Sequence, residues 1–482
     1  MRINFLSIIA CILFVSVAVS SCLDSEDTFV ASSDATVRAF GLDTIYGKHY
    51  KFAIDQINRQ IYNLEPLPVG SDTLIDSIRI DTFQVSGYIT AGLLGKDTIV
   101  NLNNHQNLTS ASNIYRGGDI RPTGDFLNGI KYKILAADMS TSLEYTLHIS
   151  IYEHDPDSIR WQQLDTPGLP ETSIAHQQTA VTLNDRILLY IKEVDGVSLY
   201  QNGIYVPQAG KSTDGQAYSN WSKSALQGIH LTEVPAVVKL NVWNAPKAQT
   251  TETLYTVTEG KLYKSINGLE WETSEDFNTT LPQGYTLKKL MGGFNGTLLG
   301  LLEQEGKAYS ITSNGELTAW KPESIYELPE KFPTENLYTA EYQTTNFLPQ
   351  VMVVGKVAAE DEKIIPWAYD GASWTLLDPS TEYKSYCLTE KIGYQPAVMN
   401  YDGTCYIFGE KLDFIYSSKN HLAWYEASKK FFLPKEAAKR ENYSMTIDNE
   451  QYIWLISGGT SNNGQQNNAI WRGRLNRIGY QK

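Results

Sequence analysis

Leu262-Tyr263-Lys264-Ser265-Ile266-Asn267-Gly268-Leu269-Glu270-Trp271 is a phrase that the chain repeats, and the repeat decides the architecture. Variants read YSITSNGELTAW at 309–320, IPWAYDGASW at 365–374 and IYSSKNHLAW at 415–424. Each is an aromatic strand, a turn, and a short strand bearing a tryptophan. The turns contain Asn267-Gly268, Asn314-Gly315, Asp370-Gly371 or Asn420-His421. Asn-Gly and Asp-Gly pairs readily take the positive φ that tight hairpins require. Trp161, Trp221, Trp271, Trp320, Trp374 and Trp424 lie 60, 50, 49, 54 and 50 residues apart. Two apolar strands precede the phrase, as in AVMNYDGTCYIFGE at 397–410 and YSMTIDNEQYIWLISGG at 443–459. Four strands in a unit of about 50 residues make a β-propeller blade, because radial packing hides all but short sheet edges.

The ends of this region complete each other. The last unit, 443–459 followed by NAIWRGRLNRIGY at 468–480, supplies three strands and no outer tryptophan strand. SIRWQQL at 158–164 supplies one strand with no blade of its own. Residues 156–482 are therefore read as a six-bladed propeller, with seven blades as the alternative, closed by strand 158–164.

Upstream, residues 32–155 alternate apolar and polar positions in short runs broken by Gly, Asn, Asp and Pro. In the hairpin 129–152, Tyr132, Ile134 and Ala136, then Tyr145, Leu147, Ile149 and Ile151, recur every second residue. That period predicts a half-buried antiparallel sheet, and short strands of this kind build a β-sandwich. The stretch DFLNGIKYKILAADMSTSLEYTLHISI at 125–151 resembles the closing hairpin of immunoglobulin-like modules in Bacteroidetes surface proteins, with matches at Asp125, Phe126, Tyr132, Ala136, Asp138, Tyr145 and Thr146. Gly129 and Met139 depart from that pattern, standing where proline and glycine are expected. The resemblance implies an immunoglobulin-like fold.

Residues 1–21 follow the secretory pattern: Arg2, an apolar run from Ile8 to Val19, and small residues before Cys22. Val19-Ser20-Ser21-Cys22 resembles the lipobox of bacterial lipoproteins, which implies lipidation of Cys22 and a membrane anchor. Residues 22–31 read as a flexible acidic tether. Asp24, Glu26 and Asp27 resemble the export tag of outer-membrane surface lipoproteins in Bacteroidetes, which implies display on the cell surface, the periplasmic face being the alternative. Five triplets resemble the Asp-Ser/Thr-aliphatic acceptor of O-glycosylation in the same envelopes, at Thr44, Thr73, Ser77, Thr98 and Ser158. Without residues 1–21 the chain has 39 basic and 54 acidic side chains, a formal net charge of −15, so neither nucleic acid nor an anionic membrane surface is an expected partner. Cys387 and Cys405 are then the remaining thiols. They are expected to lie close in space, as a disulfide or as two buried free thiols.

Ser265 to Trp271 looks like a shortened Asp-box, the turn of sialidase-type propellers, and Ser417 to Trp424 matches it loosely. YIWLISGG with AIWRGRL resembles a kelch blade. The whole layout resembles a family of Bacteroidetes lipoproteins of unknown function, with an N-terminal immunoglobulin-like domain and a C-terminal kelch or Asp-box-like propeller.

Chemistry is sparse. A sialidase needs three converging arginines, yet no arginine lies between Arg186 and Arg440. Other glycosidases need two carboxylates at a set separation, which sequence cannot place. His176, His230 and His421 show no metal-ligand spacing and read as surface or hydrogen-bonded histidines. No catalytic residue, metal site or cofactor is assigned, and ligand-binding residues stay unassigned. The function expected is a non-catalytic surface lipoprotein whose propeller binds a glycan or a protein partner, with the sandwich as spacer. The alternative is a glycoside hydrolase or related hydrolase acting on an exported polysaccharide.

Overall fold

The computed structural model describes residues 30–74, 78–90, 99–100, 106–107, 114–116, 129–164, 178–193, 195–202, 221–244, 249–356, 366–377, 397–409, 412, 414–431, 433, 442–458 and 470–480. The protein is all-β. Helix among the described residues is confined to short turns such as Glu275–Thr280, and none is long and apolar enough to cross a membrane. The chain forms two compact units, Met1–Pro156 with Gly479–Lys482, and Asp157–Ile478.

In the first unit, Val37–Leu42, Arg79–Val85 and Gln106–Asn107 form one sheet. A larger sheet is built on Ser142–Ile151, which pairs antiparallel with Ile130–Leu135 and parallel with Gln60–Asn63 and with Ile114–Arg116. One core joins the two sheets, with Phe40 and Phe83 from the first meeting Tyr132, Tyr145 and Leu147 from the second. The alternating positions Tyr132, Ile134, Tyr145, Leu147, Ile149 and Ile151 are all buried. His148 and Ser150 are buried too, so the end of this strand breaks the alternation. Asn63, fully buried, ties this end down: its Oδ1 accepts from Ser150 N at 2.8 Å and its Nδ2 donates to Ser150 O at 2.9 Å.

The described residues of the second unit hold six four-stranded sheets, all antiparallel. Five run in chain order from their first strands, Gln178–Leu183, Val238–Asn244, Thr286–Phe294, Glu335–Gln343 and Ala397–Tyr401. The sixth is assembled from both ends of the unit, in the order Asn442–Ile447, Ile453–Gly458, Ile470–Leu475 and Ile159–Leu164. Here Trp161 stands opposite Gly473 and Arg160 opposite Arg474.

Apolar side chains from successive sheets share cores. Leu240, Leu287 and Trp320 lie in one, and Met352, Ile407 and Trp424 in another. Trp221, Trp271, Trp320, Trp374 and Trp424 are buried at or before the outermost strand of their sheets, whereas Trp161, inside Ile159–Leu164, is partly buried. Their turns fold as local polar chemistry dictates. Ser265 Oγ accepts from Gly268 N at 2.8 Å, and Asn267 Oδ1 accepts from Leu269 N and Glu270 N at 2.9 Å each. Asp370 and Asn420 accept from the backbone in the same way. The residue after each Asx takes positive φ as Gly268, Gly371 and His421. In the longer phrase at 309–320 that role falls to Leu317 instead of Gly315, because Asn314 reaches on to Thr318 N and Ala319 N.

First strands of neighbouring sheets lie side by side. Thr182 and Thr446 share a hydroxyl hydrogen bond of 3.0 Å, and Asn400 Nδ2 donates to Glu341 O at 2.9 Å. This arrangement gathers the hairpins between first and second strands at one end of the unit.

Candidate functional site

A cavity of about 490 Å³ opens where three of those hairpins meet. It is lined by Phe294 and Asn295 of the hairpin that begins at Thr286, by Glu341, Tyr342, Gln343, Pro349 and Gln350 of the next, and by Asn400 and Gly403 of the one after. His421, from the turn before Trp424, completes the lining.

Local sequence explains how these groups are held. Met291-Gly292-Gly293-Phe294 carries a register shift between Leu290 and Gly292, and Gly292 has a φ of 134°. Glycine inside a strand marks a bulge or a close approach. Here it is both, since a Cβ on Gly293 would lie 2.5 Å from Glu341 Oε1 and 2.6 Å from Leu240 Cδ2. Glu341 keeps access to solvent, yet the packed atoms around it desolvate its carboxyl and raise its pKa above the ordinary carboxylate range.

Tyr342 donates its phenol proton to Gln350 Oε1 at 2.5 Å, which leaves the Gln350 amide nitrogen as a donor. The ring of His421 stacks on Tyr342, with centroids 3.5 Å apart and planes at 24°. His421 is only 4% exposed, and burial pulls its pKa down to about 4. It is therefore neutral at physiological pH, with one ring nitrogen donating and the other accepting. Two buried polar atoms on this lining have no hydrogen-bond partner, His421 Nε2 and Asn400 Oδ1. Six other buried side-chain atoms among the described residues also lack a partner, and what sets these two apart is that both belong to residues lining one cavity.

The sequence assigned no residue to this site. His421, expected at the surface or in a hydrogen bond, is buried and stacked, with a hydrogen bond to the Asn420 backbone and Nε2 open. His230 is exposed, and His176 lies outside the described residues. A signal for His421 was present in the Asn420-His421 turn, where a histidine occupies the left-handed position that glycine fills at 268 and 371. The Gly292-Gly293 pair was a second signal. Glu341, Gln350 and Asn400 had none, because they sit within stretches that read as ordinary strands.

The other sequence-derived sites scatter. Thr44 and Thr73 are exposed in the first unit, with Thr73 Oγ1 donating to Gly70 O. Ser158 Oγ accepts from Asn476 Nδ2 at 2.9 Å. Cys405 is a buried free thiol, and burial raises its pKa to about 12. Cys22, Ser77, Thr98 and Cys387 lie outside the described residues. The described residues contain no cluster of three or more His, Cys, Asp or Glu side chains that could hold a metal ion. A second polar cluster, in the sheet closed by Ile159–Leu164, is self-satisfied. Arg472 pairs with Asp448 at 3.0 Å and stacks on Tyr452, its guanidinium carbon 3.4 Å from the ring centroid.

The pattern of the DUF6242 beta propeller domain matches residues 155–482, and that of the DUF6242 N-terminal domain, a domain of unknown function, matches residues 22–149. The chain belongs to the DUF6242 family. Among solved structures, this DUF6242 chain is similar to a Penicillium chrysogenum alpha-L-arabinanase complexed with arabinobiose, at 11% identity and a TM-score of 0.39, covering 65% of this chain and 98% of that one. An alpha-L-arabinofuranosidase from Fusarium graminearum matches at 11% identity and a TM-score of 0.39, covering 65% and 97%. The Aleuria aurantia lectin, a six-bladed β-propeller that recognises fucose, matches at 10% identity and a TM-score of 0.38, covering 64% and 93%. The neighbours thus include glycoside hydrolases and a sugar-binding lectin. No curated protein matches the chain.

Proposed function

We propose that the protein is a lipid-anchored surface protein whose propeller binds a glycan in the cavity between Glu341, Gln350, Asn400 and His421. In this reading the six sheets are the whole ring, the first unit is an immunoglobulin-like spacer, and Cys22 carries the lipid on the outer membrane. The observation that carries the binding role is the pair of unpartnered buried atoms, Asn400 Oδ1 and His421 Nε2. A sugar hydroxyl donates and accepts at once, so it can satisfy an amide oxygen and a ring nitrogen of a neutral imidazole, whether that nitrogen accepts or donates. The amides of Asn295, Gln343 and Gln350 and the carboxyl of Glu341 add further partners, and Phe294 adds an aromatic ring.

Glu341 is also the observation that favours a hydrolase, since a carboxyl with a raised pKa can serve as a general acid. Glycosidase chemistry pairs such an acid with a second carboxylate about 5 to 10 Å away. Among the described lining residues, Glu341 is the acid and its neighbours are amides, which favours binding.

A glycan array probed with the purified protein tests this. Retention of oligosaccharides by the native protein, lost in Asn400→Ala, is the expected result; an array on which nothing is retained overturns it. Release of reducing ends from a retained glycan would establish the hydrolase.

A further inference from the structure

The mouth of the cavity says what kind of glycan fits. Among the described residues that line it there is no lysine or arginine, and its polar groups are amides, the His421 ring, the Tyr342 phenol and the Glu341 carboxyl. A sugar acid is recognised through guanidinium or ammonium groups, and here it would meet Glu341 instead. The floor therefore suits hydroxyls on an uncharged ring.

The hairpin tip that continues one wall has the opposite character. Thr344–Leu348 is the tip of the hairpin whose base, Gln343, Pro349 and Gln350, forms one wall. Phe347 is 80% exposed and Leu348 is 61% exposed. Leu422, next to the lining residue His421, is exposed as well. The tip is not slack: Phe347 N donates to Thr344 O at 2.8 Å, Thr344 N donates to Leu348 O at 2.9 Å, and Leu348 N donates to Thr344 Oγ1 at 3.2 Å. This turn holds Phe347 at a φ of 60°, a conformation uncommon for a bulky residue, with its ring in solvent. A polar cavity continued by an apolar hairpin tip matches a chain of sugar rings, which present hydroxyl edges and flat C–H faces.

We infer that the cavity takes one unit of an uncharged oligosaccharide and that Phe347 is the platform on which the adjoining unit stacks. This rests on the glycan-binding reading above and adds to it a charge class, a minimum length and a residue. The hydroxyls of the first unit meet Asn400, Gln350 and His421, and the second unit lays a C–H face on the Phe347 ring, a contact of the kind aromatic side chains make with apolar surfaces.

The test is titration of the purified protein, by ligand-observed NMR and calorimetry, with gluco-, manno- and galacto-oligosaccharides of one to four units and with oligogalacturonates of the same lengths. A neutral series is expected to bind, gaining on the order of tenfold in affinity between one unit and two, the equivalent of about 1.4 kcal/mol. Phe347→Ala should abolish that gain and leave the single-unit affinity unchanged, while Phe347→Tyr should keep it. Because Phe347 is exposed, both variants should melt with the native protein. A gain that survives Phe347→Ala, or oligogalacturonates binding more tightly than the neutral series, overturns this inference and leaves the binding role standing. Binding of none of these sugars overturns this inference, and the binding role falls with it only if the glycan array also retains nothing.

Discussion

Trp161 stands opposite Gly473 in the pairing of Ile159–Leu164 with Ile470–Leu475, and a Cβ on Gly473 would come within 2.7 Å of the indole. Two strands some 300 residues apart thus meet through a contact that only a hydrogen atom leaves room for. Gly473 has no positive φ, so a substitution there tests space alone. Gly473→Ala should destabilise the second unit by about 1 to 3 kcal/mol, the usual cost of overpacking. Trp161→Ala in the same chain should recover part of that loss, because the two residues are in contact. Equal denaturation midpoints for Gly473→Ala and the native protein would show that the indole does not lie there.

Removing residues 156–165 takes away that outer strand and leaves Ile470–Leu475 as an open edge. It also uncovers Trp471 and Leu475, which belong to the core that Ile159 and Trp161 pack against. The deletion should cost several kcal/mol and promote aggregation, read by light scattering and thermal melting. A monomer melting with the native protein would contradict this role for the strand.

The propeller was legible because its signals are local and repeated. Asn267, Asp370 and Asn420 fold their turns through their own side chains, so each phrase announces its hairpin within a few residues. The site was not legible, because it is made by proximity between hairpins. Glu341 and Asn400 lie far apart in the chain and meet only when their strands become neighbours, which no spacing encodes. Burial has the same origin. His421 is neutral because Tyr342 and its surroundings exclude water, a fact about packing and not about the turn that carries it.

The anchor is a separate matter. If Cys22 carries lipid, acyl chains at roughly 0.8 kcal/mol per buried methylene hold the protein firmly on a membrane. Cys22→Ser should then shift it from the membrane fraction to the soluble fraction of a cell lysate. Continued sedimentation with membranes would show another attachment.

His421 ties stability to pH. Its folded pKa is about 4 against an ordinary 6.5. Between those values the unfolded chain binds a proton that the folded chain does not, so stability falls as pH drops through this window and is level above it. The loss amounts to about 3 kcal/mol when complete. His421→Asn keeps a residue that tolerates the left-handed conformation and has no titrating ring. Urea midpoints measured from pH 4 to 7 should fall more steeply in the native protein than in this variant. Parallel slopes would mean that His421 is protonated without penalty.

Glu341 should show the opposite dependence, and with it a conflict between stability and function. Burial raises its carboxyl pKa, so its contribution to stability is fully present below the unfolded value and is lost as pH rises through the folded one. Wherever the carboxyl is ionised, its charge is therefore a cost to the fold. Glu341→Gln keeps the shape beside Gly293 and removes the charge. The variant should be more stable than the native protein at pH 7 and indistinguishable from it in acid below the carboxylate range. The same change should weaken glycan binding about five- to tenfold, because a carboxylate accepts hydrogen bonds from hydroxyls about twice as strongly as an amide oxygen. A variant that gains stability and loses binding marks Glu341 as a residue kept for its ligand at the expense of the fold. If Glu341→Gln lowers stability at pH 7, the carboxylate instead helps to hold the hairpins together, and the conflict between stability and binding falls.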